Sequence, residues 1–137
     1  MEIIKYFNKH IIVYWIPLCI VAFAIFFFSV LKSPFSAIGI PEGDLLDFNT
    51  LHIPAYFALS FLAGIAFRHT TNLKFHHYTL AIIFAFAFGT LMEITQGFVP
   101  GRTASLIDST HSLIGAALAQ PLRFVLKQEK KFLNKII

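Results

Sequence analysis

Two long apolar runs meet in the segment GTLMEITQGFVPGRTASLIDSTHSLIGAALA, residues 89–119, where Pro100 and Gly101 separate them. A Pro-Gly pair favours a tight turn, so we expect the two runs to form antiparallel neighbouring helices. The same segment carries Glu93 and Asp108 inside or beside apolar sequence. A carboxylate costs about 2.5–3.5 kcal/mol near the middle of a membrane span and less toward its end. We therefore expect this segment to be functional and the rest to be largely its scaffold.

The composition is that of an integral membrane protein. The length of 137 residues predicts one domain, in which charged residues make up 13% and apolar residues 57%, and the mean hydropathy is +0.72. Soluble domains contain about 25% charged residues. The net charge of +4 would suit nucleic acid, but the positive residues lie at the two ends and in loops. Because membrane topology requires that pattern, we expect no nucleic-acid partner. The single cysteine, Cys19, excludes an intramolecular disulfide.

The apolar runs predict an all-α, four-helix transmembrane bundle. The expected spans, followed by a basic C-terminal segment, are residues 11–31, 49–67, 77–98 and 103–126, and then 127–137. A cleaved signal peptide is the alternative for the first run, but the apolar region of such a peptide has only about 7–15 residues. Because this run is longer and ends in Lys-Ser-Pro-Phe, we expect a retained anchor.

The distribution of Lys and Arg predicts the orientation of the spans. Nine of the eleven positive residues fall in the terminal segments and in the loop between the second and third spans, whereas Lys32 and Arg102 fall on the other side. Cytoplasmic segments carry the excess of Lys and Arg, so both termini are expected in the cytoplasm. The protein is then a multi-pass protein of the cell membrane.

With four spans, the polar residues gather at one membrane face. Those three or four positions apart share a helix face, as His52 does with Tyr56 and Glu93 with Gln96. Placing such groups against lipid is costly, so these faces should point into the bundle. The sequence predicts a polar pocket that opens outward. Its remaining members are Arg102, Ser105, Asp108, His111 and Ser112.

These residues resemble the VanZ-like family of small integral membrane proteins over nearly the whole chain, about residues 10–120. The resemblance is carried by four motifs: LHIPAYFAL with His52 and Tyr56, MEITQ with Glu93 and Gln96, VPGRTASL with Arg102, and IDSTHSLIG with Asp108 and Gly115. Asn49 stands where the family often has Lys, and Ser112 where it usually has Asn. The resemblance implies a relation to resistance against teicoplanin, a lipoglycopeptide that acts at the outer membrane face. It implies a site but no particular reaction.

The expected catalytic residues are Glu93, His52 and Asp108, with Glu93 as acid or base and His52 as its proton partner. The expected substrate-binding residues are Arg102, Gln96, Tyr56, Ser105, His111 and Ser112. Structural alternatives remain open: Glu93 as a buried, ion-paired carboxylate, Asp108 as a carboxylate favoured by a helix dipole, and Arg102 as an interfacial residue. Two imidazoles and two carboxylates would suit zinc. No tightly spaced metal motif supports that reading, so no metal and no other cofactor is expected.

Three functions from different classes remain open at this point. The first is an enzyme that transfers or hydrolyses a lipid-linked or cell-wall group and affects glycopeptide susceptibility. The second is a non-catalytic binder of an envelope lipid or lipophilic antibiotic, and the third is a structural membrane protein. The expected partners are membrane lipids and a lipid-linked or cell-wall precursor. A transport path would require a homo-oligomer, because four spans without a pair of broken helices offer none.

Overall fold

The computed structural model describes the backbone of residues 2–31, 48–70, 76–101 and 103–136, and the side chains of residues 12–31, 51–70, 76–101 and 103–127. This described part contains four α-helices and no strand, which confirms the all-α prediction. The helices are α1 (Glu2–Val30), α2 (Phe48–Thr70), α3 (His77–Gln96) and α4 (Leu106–Ile136).

The connection between α3 and α4 is longer than the Pro-Gly pair alone predicted. Helix α3 ends at Gln96, two residues before the predicted boundary, and a turn over Gly97–Gly101 follows. Gly101 has a φ of 88°, a left-handed conformation that glycine adopts without steric penalty. Helix α4 starts at Leu106 and continues to Ile136, so the basic C-terminal segment extends this helix.

Helix α2 is central, because it makes the most extensive contacts with the other three helices. It runs antiparallel to α3: His52 near its start contacts Glu93, whereas Phe67 near its end packs edge-on against Phe84. Phe67 also contacts Trp15 in the first half of α1. Consecutive helices therefore alternate in direction, as the predicted four-span topology requires.

Helix α4 runs parallel to α2 and antiparallel to α3. Ile53 lies against Gly115, and further along both helices Gly64 lies against Arg123. The start of α4 lies near the end of α3, where the Ser105 backbone contacts Glu93. Glu93 and Asp108 consequently lie at the end of the bundle where α2 and α4 begin.

The interior of the bundle is built from small side chains, and the large apolar ones face outward. Fully buried alanines form most of the core, whereas many Phe, Ile and Leu side chains are exposed on the outer surface. This arrangement suits lipid, in which small residues let helices approach and large apolar residues face the acyl chains. The buried alanines are Ala63, Ala66, Ala81, Ala85, Ala116 and Ala119.

Three described helices have windows long and apolar enough to cross a membrane: Ile12–Val30, Leu51–Thr70 and His77–Gln96. These windows agree closely with the first three predicted spans and indicate a membrane protein. Helix α4, which holds the fourth predicted span, is not among them. The physical reason is that Asp108, His111, Gln120 and Arg123 interrupt its apolar sequence.

Glycines allow the helices of the site to approach closely. A Cβ atom added at Gly89 would lie 2.8 Å from Cβ of Ser112 on α4 and 3.1 Å from the Tyr56 ring on α2. A Cβ atom at Gly115 would overlap the carbonyl oxygen of Ile53. These contacts show that small residues are needed at the interfaces between these helices. Without them, α2, α3 and α4 could not bring their polar residues together.

Candidate functional site

A buried histidine–carboxylate pair forms the centre of the site. His52 Nε2 on α2 lies 3.3 Å from Glu93 Oε1 on α3, and Glu93 is only 4% exposed. The Tyr56 ring, one turn after His52, stacks on the imidazole with 5.9 Å between ring centroids. This stacking orients the imidazole on its own helix. The i, i+4 spacing that the sequence showed is thus used to hold His52 against Glu93.

Ser105 caps the start of α4 and links that helix to Glu93. Its hydroxyl oxygen accepts a hydrogen bond from the Asp108 backbone N–H at 3.3 Å, the usual bond of a serine N-cap. Its own backbone N–H donates to Glu93 Oε2 at 3.0 Å. In a capping box, the acidic residue at the position of Asp108 would accept that N–H. Glu93 takes this role from the neighbouring helix, and the Asp108 side chain is released from it.

Asp108 is buried beside this pair, with 8% of its surface exposed. Its Oδ1 lies 3.8 Å from His111 Nδ1, which is too long for a hydrogen bond. The Ser112 hydroxyl donates to the Asp108 backbone carbonyl at 2.9 Å and so leaves the carboxylate unaffected. Ser112 also interacts with the Tyr56 hydroxyl. Helix α4 therefore supplies a carboxylate and a second imidazole to the site.

Three buried atoms of the site receive no hydrogen bond from the described part of the chain: Glu93 Oε1, Asp108 Oδ1 and His111 Nδ1. A buried polar atom without a partner costs free energy, so native proteins usually satisfy it with protein, water or a ligand. His52, Glu93 and Asp108 each offer one ligand atom, and these atoms lie within 4.8 Å of one another. We call these three residues, with His111, the acidic cluster.

An apolar cavity of about 360 Å³ adjoins the acidic cluster. His52, Tyr56 and Gln96 form its polar part, and the remaining lining residues are largely apolar. Five of the eleven lining residues come from α1, which was expected to be only an anchor. The signal that was missed is the recurrence of these lining positions on one face of that helix: Val21, Ala24, Ile25, Phe28 and Ser29.

The structure places most of the predicted site residues at one end of the bundle. The catalytic candidates His52, Glu93 and Asp108 come together, and Ser105, His111, Ser112 and Tyr56 surround them. Gln96 is buried at the cavity wall. Arg102 lies outside the described residues. The chemical roles of all these residues stay predictions.

A second buried polar group, which the sequence analysis missed, lies further along α2 and α4. Arg123, only 7% exposed, donates to Gln120 Oε1 at 2.6 Å and stacks over the Tyr78 ring at 4.9 Å. Gln120 in turn donates to the Ser60 hydroxyl at 2.6 Å. We call these four residues the arginine cluster. The available signal was the i, i+3 pair Gln120 and Arg123, of which Arg123 was counted only toward membrane orientation.

Comparison with protein-family models, with curated proteins and with solved structures finds no match for this chain. The interpretation of the site therefore depends on its own geometry.

Proposed function

We propose that this protein is an integral membrane enzyme that acts on an amphipathic, lipid-linked or cell-envelope substrate. One observation carries the proposal: His52, which contacts the buried Glu93, lies on the wall of an apolar cavity. The cavity suits an acyl or prenyl chain, and the pair lies where the polar group of that molecule would be held. Few structural roles need both features at one place.

The His52–Glu93 pair is suited to acid–base chemistry. As the attacking hydroxyl of water or a second substrate forms its new bond, Glu93 accepts its proton. As the bond to the leaving group breaks, the protonated imidazole of His52 donates a proton to that group. A proton passing from Glu93 to His52 across their 3.3 Å contact restores the starting state. The reaction class is transfer or hydrolysis at a lipid-linked group.

The neighbouring residues have supporting roles in this proposal. Asp108 stabilises the positive charge of His52, and Gln96 and Tyr56 contact the substrate at the cavity wall. Ser105 positions Glu93, and His111 and Ser112 lie beside Asp108. Arg102, which precedes the start of α4 in sequence, holds a phosphate or carboxylate of the substrate. The excess of Lys and Arg elsewhere in the chain supports a site at the outer leaflet, with both termini in the cytoplasm.

A relation to the VanZ-like family is part of the proposal. It is supported by the order of His52, Glu93, Gln96, Arg102 and Asp108 along the chain. If the relation holds, the substrate belongs to the cell envelope, and expression of the protein changes susceptibility to teicoplanin-type antibiotics.

The test uses purified protein in lipid nanodiscs with a panel of labelled lipid-linked envelope precursors, and mass spectrometry detects product. We expect turnover by the wild type, loss of turnover in Glu93→Gln and His52→Gln, and unchanged turnover in His76→Ala. His76 is an exposed histidine just before α3 and provides the matched control. Full activity of both cluster variants would contradict the proposal.

A non-catalytic binder is the second candidate, and the mostly apolar lining of the cavity favours it. A binder would retain a labelled lipid or lipoglycopeptide without changing it. Ala24→Phe, which fills the cavity from α1, would then abolish retention, whereas Glu93→Gln would weaken it only modestly. Product formation by the wild type would exclude this candidate.

A further inference from the structure

The charges of the described side chains are separated along the bundle. Glu93 and Asp108 are the only described carboxylates, and they lie together at one end. The described Lys and Arg side chains are Arg68, Arg123 and Lys127. Arg123 follows Asp108 by fifteen residues on α4, which places it about 22 Å away along the helix axis. Within the described residues, only imidazoles are near enough to compensate the two carboxylates.

From this arrangement we infer that His52, Glu93 and Asp108 bind one divalent transition-metal ion, with zinc as the expected ion. Two buried carboxylates side by side repel each other, and each loses solvation. A divalent cation between them removes both costs. It also occupies the unpaired oxygens Glu93 Oε1 and Asp108 Oδ1.

The spacing of the ligand atoms fits an ion of this size. Ligand atoms about 2.1 Å from a tetrahedral zinc lie about 3.4 Å apart. His52 Nε2 and Glu93 Oε1 are already 3.3 Å apart. No pair among the three ligand atoms exceeds 4.8 Å, so rotation of the Asp108 side chain closes the remaining gap.

Hydrogen bonds outside the cluster prepare the ligands. Glu93 uses Oε2 to accept the Ser105 N–H, which directs Oε1 toward His52. In a capping box, the Ser105 N–H would donate to the Asp108 side chain. Because this N–H donates to Glu93 instead, the Asp108 carboxylate stays available to bind a metal ion. Stacking on Tyr56 fixes the imidazole of His52. Residues beyond the ligands commonly orient metal sites in this way.

The donor set favours zinc and related ions over calcium or magnesium. One imidazole nitrogen suits zinc, copper, iron and nickel, whereas calcium and magnesium prefer oxygen ligands alone. Three protein ligands with a fourth position for water are the usual pattern of a catalytic zinc. The three ligands come from three different helices. This explains why the sequence shows no tightly spaced metal motif.

His111 is a positioning residue in this site. Its Nδ1 is buried without a hydrogen bond from the described residues, 3.8 Å from Asp108 Oδ1. When Asp108 turns toward the ion, His111 can donate to the carboxylate and hold it. Loss of such an outer contact lowers metal affinity about 10–100-fold.

Metal binding is measured on full-length protein purified in detergent without a polyhistidine tag. A chelator first removes bound metal from the protein. Zn²⁺ is then added, and the amount of bound metal is measured. In a sample loaded with Co²⁺ instead, the visible absorption spectrum reports the ligand geometry. We expect one ion per chain with micromolar or tighter affinity, and a Co²⁺ spectrum typical of four- or five-coordination. A wild-type protein that binds neither ion above the level of an unrelated membrane protein overturns the inference.

Variants identify the ligands, with folding checked by circular dichroism and gel filtration. Glu93→Gln and Asp108→Asn keep the shape of the side chain, and each should lower Zn²⁺ affinity at least tenfold. His52→Gln should also lower Zn²⁺ affinity at least tenfold. His111→Gln should weaken binding and still give the Co²⁺ spectrum. The controls His76→Ala and Gln120→Ala should bind as wild type. Equal binding in the ligand variants and the controls would show that the ion lies elsewhere and overturn the assignment.

This inference rests on the proposed function and makes the chemistry of the same site more specific. Different experimental results would contradict the metal site and the enzyme activity. An ion of this kind lowers the pKa of bound water toward neutrality and would provide the nucleophile for hydrolysis, with Glu93 then a ligand. Turnover by a wild-type protein that binds neither Zn²⁺ nor Co²⁺ would contradict the metal inference and leave acid–base catalysis in place. Stoichiometric Zn²⁺ binding without turnover of any precursor would contradict the enzyme and leave the metal site.

Discussion

The acidic cluster and the arginine cluster are both buried between α2, α3 and α4, but they differ in how their polar atoms are satisfied. In the arginine cluster, the guanidinium of Arg123 reaches the side-chain oxygen of Gln120, and the Gln120 amide reaches Ser60. The Ser60 hydroxyl in turn donates to the Ala116 carbonyl at 2.9 Å. In the acidic cluster, three buried atoms accept or donate no hydrogen bond within the described residues.

The difference separates a structural network from a binding site. A closed network needs nothing from outside and joins the helices that it connects. Unpaired carboxylate oxygens that converge on one point require a proton, a cation or a substrate group. Both clusters use residues three or four positions apart on helices, so local spacing alone does not distinguish them.

The largest expected loss of stability comes from the interface between α2 and α4, to which residues of both clusters belong. Gly115→Ala should lower the free energy of unfolding by about 3 kcal/mol, because the new methyl group would overlap the Ile53 backbone, which cannot rotate away. Gly64→Ala is the matched variant on the same interface, where the methyl group meets only the Arg123 guanidinium. It should cost clearly less. Denaturation in detergent, followed by circular dichroism, measures the free energy of unfolding of both variants. Equal losses would show that the backbone contact at Gly115 does not limit how closely α2 and α4 pack.

Arg123→Ala should destabilise the protein by about 2 kcal/mol, because Gln120 loses the donor to its buried side-chain oxygen. The contact with the Tyr78 ring is lost as well. Zn²⁺ binding and turnover by the folded fraction should stay at the wild-type level. If Arg123→Ala instead left stability unchanged and removed binding, the roles assigned to the two clusters would be reversed.

Ser105→Ala should cost about 1 kcal/mol through loss of the N-cap hydrogen bond to the Asp108 backbone. The backbone N–H of residue 105 still donates to Glu93, so the position of that carboxylate should be kept. Ser105→Thr preserves the hydroxyl and should behave as wild type. The same denaturation assay measures both variants. A loss of Zn²⁺ binding in Ser105→Ala with unchanged stability would show that the hydroxyl itself is part of the site.

Glu93→Gln should have the smallest effect on stability, near zero or slightly stabilising. The amide oxygen can still accept the Ser105 N–H, and a buried charge is removed. The same substitution should abolish turnover and Zn²⁺ binding. This combination distinguishes a functional carboxylate from a structural one. A loss of stability greater than that of Arg123→Ala would support the structural hypothesis for the acidic cluster.

The local part of this architecture could be predicted from the amino-acid sequence. The length and apolarity of the runs determined four helices, and the second and third came within three residues of their observed bounds, whereas α1 starts nine residues before the predicted span. The spacing of His52 and Tyr56 placed them on one face because helical periodicity is a local property. Pro100 and Gly101 located the turn between α3 and α4, although not its length, since the Ser105 N–H before α4 donates to Glu93 on the neighbouring helix.

Only the tertiary structure decided which polar residues meet and which stay unpaired. The sequence shows Glu93, Asp108 and Arg123 as charged residues beside or within apolar runs, but it does not show that Glu93 takes the Ser105 N–H or that Arg123 is buried against Tyr78. Those contacts depend on the rotation and separation of the helices, which the small residues at Gly89 and Gly115 set. Helix propensity depends on residues that are neighbours in the sequence, whereas the hydrogen-bond partner of a buried group can come from a segment far away in the sequence.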